Sequence, residues 1–81
     1  MDKMYVIEEV CNRSGNYRLF RGTLESLKKY YNLNETIAIP YKWDFVYISE
    51  PTTIKGLVRA LNRRAKYGVQ YAGLSYSLVK A

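Results

Sequence analysis

The sequence has 81 residues, of which 13 are Lys or Arg, seven are Asp or Glu and none is His. That length suits one small domain, residues 1–81, and excludes a second folding unit. The formal net charge is +6, and all of it lies in residues 51–81, because residues 1–50 contain seven basic and seven acidic side chains. The hydrophobic fraction of 48% and the charged fraction of 25% are those of a globular protein, which excludes a disordered chain.

Cysteine content and apolar runs indicate the compartment. The single cysteine, Cys11, has no partner for an intramolecular disulfide, which favours a reducing environment. The apolar run of residues 4–7 is too short for a signal peptide, and no stretch approaches the roughly 20 residues that span a membrane. We therefore expect a cytoplasmic protein with no membrane partner. A chain this short has a thin stability margin, so formation of a homo-oligomer would help it.

The side chains that catalysis most often needs are missing. Without His there is no Ser-His or Cys-His nucleophile pair, and one Cys cannot build a thiolate metal site. Glu8 and Glu9 are adjacent, so on a strand they point to opposite faces and cannot cooperate. The five glycines are isolated from one another, which excludes a phosphate-cradling loop. We therefore expect a binding protein that is not an enzyme and that holds no metal or cofactor.

The first third of the chain predicts a hairpin and a short helix. Residues 4–11 and 17–21 are rich in β-favouring side chains and flank the turn-forming segment 12–16, which indicates a β-hairpin. Thr23 is a good N-cap for the helix that follows. Apolar side chains recur there at helical spacing, at Leu24, Leu27 and Tyr31.

Residues 37–48 predict two segments of strand structure, of which only the second is expected at the centre of the sheet. Residues 37–39 favour a short strand that Pro40 ends or places at an edge. Residues 43–48 alternate with a period of two, with one face formed by Trp43, Phe45 and Tyr47 and the other by Asp44, Val46 and Ile48. Because both faces are largely apolar, we expect this strand to be central, with a helix layer covering one side.

Residues 52–66 have the most regular helical pattern. One side of this helix is apolar and should pack on the sheet, with Ile54, Leu57, Val58, Leu61 and Ala65. Residues 74–79 then alternate as a final strand. The predicted order is β-β-α-β-α-β, an α+β fold in which a mainly antiparallel sheet carries two helices packed on one face.

The opposite side of the second helix is basic. Lys55, Arg59, Arg63 and Lys66 align within an arc of roughly 80°, and Arg64 lies at their flank. A solvated face that keeps a small protein soluble is the simplest interpretation. Such a face normally interleaves acidic residues, and none is present here. The alternative is therefore a site that follows a phosphate backbone or meets an acidic protein surface.

Tyrosine is the second unusual feature, with nine in 81 residues. The alternation assigns packing roles to four of them, namely Tyr5, Tyr31, Tyr47 and Tyr76. Tyr41, Tyr67 and Tyr71 fall in predicted loops beside Pro or Gly. Exposed tyrosines offer rigid contact area for protein partners and stacking surfaces for bases. We expect these three to form one composite surface with the basic helix.

The chain resembles the small accessory proteins that bacteriophages and prophages encode. The resemblance lies in the short length, the abundance of Lys and Tyr, the lack of His, and the closing pattern of residues 53–62 followed by a Tyr-rich strand that ends at Ser77, Leu78 and Val79. It implies a protein of the host cell cytoplasm that binds and disables a host factor, as anti-CRISPR proteins and other anti-defence inhibitors do, or that sequesters a nucleotide signal. It transfers no functional residues.

Three hypotheses follow. The first is a basic binding protein that engages nucleic acid or a nucleotide through eight residues, namely Lys55, Arg59, Arg63, Arg64, Lys66, Tyr67, Tyr71 and Tyr41. The second is a protein inhibitor that turns the same surface against an acidic or nucleic-acid-binding face of a host enzyme. The third is a sponge for a signalling nucleotide.

Overall fold

Two antiparallel sheets and two helices form the structure, a computed structural model that describes residues 3–79. The elements are β1 (Tyr5–Cys11), β2 (Tyr17–Gly22), α1 (Leu24–Tyr30), β3 (Ile37–Tyr41), β4 (Asp44–Ile48), α2 (Ile54–Tyr67), a 3-10 turn (Val69–Tyr71) and β5 (Leu74–Val79). The predicted α+β class is confirmed. Within residues 3–79 no helix has both the length and the apolar character needed to cross a bilayer.

The larger sheet has the strand order β2-β1-β5, with β1 in the centre. The predicted hairpin of residues 4–21 is confirmed, and its loop turns at Gly15, whose φ of 77° suits glycine. One face of this sheet contributes Ile7 and Tyr76 to the core and packs Phe20 against them. Both helices therefore lie on that face, which we call the inner face.

Helix α2 begins at Ile54, two residues after the predicted start at residue 52, because Thr53 caps it. The hydroxyl of Thr53 accepts a hydrogen bond from the Gly56 N–H at 3.0 Å, and Thr23 caps α1 in the same way through the Ser26 N–H at 3.2 Å. The predicted apolar stripe of α2 is confirmed, since Leu57 and Leu61 have no exposed surface. Burying such a side chain stabilises the fold by about 1.5–3 kcal/mol before entropy is counted.

Asn62 ties α2 to the open edge of the larger sheet. Its Oδ1 accepts from the Tyr76 N–H at 2.8 Å, and its Nδ2 donates to the Tyr76 carbonyl at 2.9 Å. Strand β5 is an edge strand, so these backbone groups have no strand partner on that side. One amide side chain therefore positions the helix along β5 and pairs part of an exposed edge.

Lys28 provides a second tie between elements. Its side chain is buried, and its Nζ lies 2.6 Å from Glu50 Oε2 and 3.6 Å from Glu25 Oε1. Lys28 Nζ donates a hydrogen bond to the Glu50 carboxylate, and this contact raises the pKa of Lys28. The pair joins α1 to the segment that leads into α2.

The prediction for residues 43–48 was wrong in position. They do not form a central strand of one sheet, because β4 pairs only with β3 in a separate two-stranded sheet. The order of elements along the chain is therefore β-β-α-β-β-α-β, with one strand more than predicted. The connection is the two-residue turn Lys42-Trp43, in which Lys42 has a φ of 56°. Tight hairpin turns usually carry Gly or Asn at such a position, so the sequence contains no signal for this turn.

The exposure of β4 is the second correction. Tyr47, which the alternation assigned to packing, is 63% exposed, and Phe45 is 52% exposed. The other face of the same strand is inside, with Ile48 buried and Val46 partly buried. Tyr5, Tyr31 and Tyr76 do pack in the core, as predicted.

Replacing Asn62 with Ala should lower the free energy of unfolding by about 1–2 kcal/mol, because two hydrogen bonds to Tyr76 are lost together. Chemical denaturation measures the change. Arg59→Ala, one turn earlier on the exposed side of α2, is the matched control and should shift stability by no more than about 0.5 kcal/mol. Equal losses in the two variants would show that Asn62 does not tie the helix to β5.

Candidate functional site

The basic ridge, defined as Lys55, Arg59, Arg63 and Lys66, lies on the solvent side of α2. All four residues are exposed. In the part of the chain from residue 3 to residue 79, the ion pairs within 4 Å involve Lys28 and none involves the ridge. The predicted alignment of four cations without carboxylate partners is therefore present in the structure.

An aromatic cluster meets the ridge at its C-terminal end. The rings of Tyr41 and Tyr67 pack edge to face with centroids 4.9 Å apart. The Arg63 guanidinium lies 5.3 Å from the Tyr67 ring centroid, and the Lys66 ammonium lies 5.4 Å from it. These contacts hold two ridge cations over a tyrosine face. Of the three tyrosines that the sequence assigned to the composite surface, the fold thus joins two to the ridge.

Lys42 extends this cluster beyond the predicted residues. Its ammonium lies 5.4 Å from the Tyr41 ring centroid, at the β3–β4 turn. A depression of about 380 Å³ separates the turn from the end of α2 and is lined in part by Lys42, Lys66 and Tyr67. We call the ridge together with Tyr41, Lys42 and Tyr67 the basic aromatic surface. Lys42 is distant from the ridge in sequence, so only the unpredicted turn brings it there.

Arg64 does not belong to this surface, which corrects its assignment to the flank of the ridge. Only 5% of its surface is exposed. Its Nη1 donates to the Tyr31 carbonyl at 2.6 Å, and its guanidinium carbon lies 4.1 Å from the Tyr71 ring centroid. One step of about 100° around α2 separates it from Arg63 and turns it inward. Tyr71 is held there by the same contact and is likewise not part of the ridge.

Arg64 lines a cavity of about 380 Å³ against the inner face of the larger sheet. The strand register places Glu9 of β1 between Arg18 of β2 and Tyr76 of β5, and all three also line the cavity. The Tyr76 hydroxyl donates to Glu9 Oε2 at 2.7 Å. Sequence reasoning missed Glu9 and Arg18. The signal for them was the predicted hairpin, because the register of its two strands places Glu9 opposite Arg18.

Trp43, Phe45 and Tyr47 form a second exposed feature, which we call the aromatic face. Trp43 is fully exposed at the β3–β4 turn, next to Lys42. The rings of Phe45 and Tyr47 lie 6.4 Å apart along β4. Large aromatic side chains with this much exposure on a small domain mark a contact surface. The face extends outward from the turn that carries Lys42.

Comparison of the chain with protein-family models, with curated proteins and with solved structures gives no match. A function must therefore be inferred from the chemistry of the side chains that the fold brings together.

The folded protein should lose stability above about pH 10. Burial raises the pKa of Tyr31 and of Tyr76 far above the usual range, and Glu50 raises the pKa of Lys28. The folded state then keeps protons that the unfolded chain releases. Its stability is complete below the ordinary pKa values and falls as the pH rises through the folded ones.

Tyrosinate absorbance and circular dichroism, recorded together, test this expectation. Tyr31 and Tyr76 should ionise only as the helical signal is lost. Tyr76→Phe should remove one late-ionising group. A titration curve above pH 10 that is identical in wild type and Tyr76→Phe would contradict the expectation.

Proposed function

We propose that the protein is a non-enzymatic binding protein that holds single-stranded nucleic acid on the basic aromatic surface. The observation that carries the proposal is the contact between four exposed cations, which have no carboxylate partner among residues 3–79, and the tyrosine pair at one end of α2, in which Tyr41 is exposed and Tyr67 is half-buried. Proteins that bind single strands without sequence preference combine a cationic track for phosphates with aromatic rings for bases.

Electrostatics supports an anionic partner. Lys55, Arg59 and Arg63 follow one another at i, i+4 spacing along α2. Like charges at that spacing destabilise a helix by about 0.2–0.5 kcal/mol per pair. A phosphate placed over the ridge would relieve this repulsion and release the counterions that otherwise screen the nucleic acid.

The aromatic side chains support a single strand over a duplex. Base faces are hidden inside a duplex, whereas a single strand offers them to Tyr41 and to the fully exposed Trp43, which adjoins Lys42 at the edge of the basic aromatic surface. Stacking one base on an aromatic side chain contributes about 1–3 kcal/mol. We therefore expect oligothymidine to bind more tightly than a duplex of equal length at equal salt.

Binding should depend steeply on salt and on the ridge. With about four phosphate contacts, the log-log salt slope for a single strand is about −3, so affinity should fall roughly 50-fold between 50 and 200 mM salt. Fluorescence anisotropy of labelled oligothymidine measures it. The double variant Arg59→Glu/Arg63→Glu should bind at least tenfold more weakly at low salt and should show a shallower slope.

The matched control is Arg13→Glu/Arg21→Glu, which changes the net charge equally at exposed positions outside α2. It should lose much less affinity than the ridge variant. Equal losses in both variants would indicate that only the overall charge matters. An affinity that does not change with salt would refute the proposal.

Trp43 is the only tryptophan, so its fluorescence reports directly on its environment. Oligothymidine should quench it, and Trp43→Ala should weaken binding about fivefold or more, whereas Trp43→Phe should retain most of the affinity because a ring remains. Stability should not change, since the side chain is fully exposed. Unchanged Trp43 fluorescence at saturating oligothymidine would remove Trp43 from the binding surface.

A protein inhibitor of a host defence or nucleic-acid enzyme is the second candidate, and the aromatic face favours it. Trp, Tyr and Phe are enriched where protein interfaces concentrate their binding energy. The resemblance to phage accessory proteins implies such a role in the host cytoplasm. A pull-down from nuclease-treated bacterial lysate separates the two candidates. One stoichiometric protein band, lost in Trp43→Ala, together with no oligonucleotide binding would favour the inhibitor.

A further inference from the structure

The cavity on the inner face of the larger sheet has a polar side and an aromatic side. Its volume of about 380 Å³ lies in the range of small-molecule pockets. Glu9, Arg18 and Arg64 are on its polar side, and Phe20, Tyr30 and Tyr31 supply aromatic rings. None of the four ridge residues lines it. It is therefore separate from the basic aromatic surface.

Two buried polar atoms that belong to residues lining this cavity have no hydrogen-bond partner among residues 3–79. They are Arg64 Nε and Tyr31 Oη, in side chains that are 5% and 6% exposed. Buried polar groups in native proteins are nearly always paired, so each unpaired one calls for a ligand or ordered water. Arg64 Nε is a donor, and the Tyr31 hydroxyl, which is protonated at neutral pH, can both donate and accept.

The aromatic side favours a flat ligand. Phe20 lies 5.0 Å from Tyr30 and 5.6 Å from Tyr31, measured between ring centroids, and the two tyrosines lie 5.1 Å apart. The rings are tilted or edge to face, with interplanar angles of 38°, 73° and 79°, so they form an apolar wall of three facets. A planar heteroaromatic ring can contact such a wall while its edge faces the polar side.

The hydrogen-bonding groups on the polar side determine which planar heteroaromatic ring fits the cavity. Glu9 Oε2 accepts from Tyr76, which holds the carboxylate in place and leaves its other lone pairs free. Arg18 is the direct cross-strand neighbour of Glu9, so an acceptor and a fork of donors lie side by side. Guanine carries two adjacent N–H donors next to an oxygen acceptor on one edge, and Arg is its most frequent partner at O6 and N7. Adenine, cytosine and uracil lack the paired donors that a carboxylate can accept together.

We infer that this cavity is a binding site for a guanine base, with Glu9 accepting from its N1 and N2 protons, Arg18 and Arg64 donating to its acceptors, and Phe20 and Tyr30 contacting its face. The base belongs either to a free guanine nucleotide or to an unstacked residue of a single strand. The chemistry of recognition is the same for both.

Isothermal titration calorimetry with GMP, AMP, CMP and UMP tests the inference on the wild-type protein. GMP should bind at least tenfold more tightly than the other three. Inosine monophosphate, which lacks the 2-amino donor, should bind more weakly than GMP. Binding of GMP that is no tighter than that of AMP or CMP, or no measurable binding of any of them, would overturn the inference.

Two variant pairs assign the contacts. Glu9→Gln should lower GMP affinity at least tenfold, whereas Glu8→Gln, whose side chain faces away on the same strand, should not. Arg18→Gln should also weaken GMP binding, and its control Arg21→Gln, on the outer face of the same strand, should not. Because Arg18 is exposed, its variant will fold even if Glu9→Gln does not. Wild-type GMP affinity in Arg18→Gln or in folded Glu9→Gln would overturn the inference.

A further arm identifies the source of the base and separates this site from the proposed function. A thymine oligonucleotide with one central guanine is compared with an all-thymine strand of equal length. If the guanine-containing strand binds more tightly and Glu9→Gln abolishes the difference, the cavity takes a base of a single strand. If the two strands bind equally while the protein still prefers GMP, the cavity takes a free nucleotide. Arg59→Glu/Arg63→Glu should leave GMP affinity unchanged, so the ridge and the cavity can fail independently.

Discussion

Both sheets depend on one helix. Leu57 and Leu61 of α2 are completely buried, in a core that also takes Ile7 from the larger sheet and Ile39 and Ile48 from the β3–β4 hairpin. A two-stranded hairpin is only marginally stable alone, so contact with α2 is what keeps it folded. The packing of this helix therefore positions the basic aromatic surface, the aromatic face and the cavity beside Arg64.

The same helix separates two kinds of cation. Arg63 and Arg64 are adjacent in sequence, yet one is exposed against Tyr67 and the other is buried against Tyr71 and the Tyr31 carbonyl. Burying a guanidinium is costly unless its protons are satisfied and its charge is compensated. The carbonyl and the ring meet part of that need, and Nε has no hydrogen-bond partner among residues 3–79. The exposed ridge has no such requirement and remains available to a partner.

The exposed aromatic side chains follow from the thinness of the β3–β4 hairpin. Ile37 and Ile39 on β3 and Ile48 on β4 pack toward the core. Only one face of the β3–β4 hairpin is covered by a helix. Because side chains alternate along a strand, Phe45 and Tyr47 then point outward on the uncovered face. Selection for folding alone would place polar residues on that outer face, so its aromatic composition is an argument for contact with a partner.

The sequence alone determined the elements whose signals are local. Four features follow from side-chain periodicity and turn chemistry within a few residues: the hairpin of β1 and β2, the cap at Thr23, the apolar stripe of α2 and the alignment of its basic ridge. Lys55, Arg59, Arg63 and Lys66 could be placed on one face because a helix has a single period.

Only the tertiary structure decided how these elements meet. The turn at Lys42 contains no glycine or asparagine that would indicate a tight turn. The sequence therefore predicted neither the β3–β4 sheet nor the contact between Tyr41 and Tyr67. Residues 43–48 are apolar on both faces, and periodicity cannot tell which face is covered. The burial of Arg64 and the approach of Tyr76 to Glu9 likewise depend on contacts between distant segments, which no local pattern encodes.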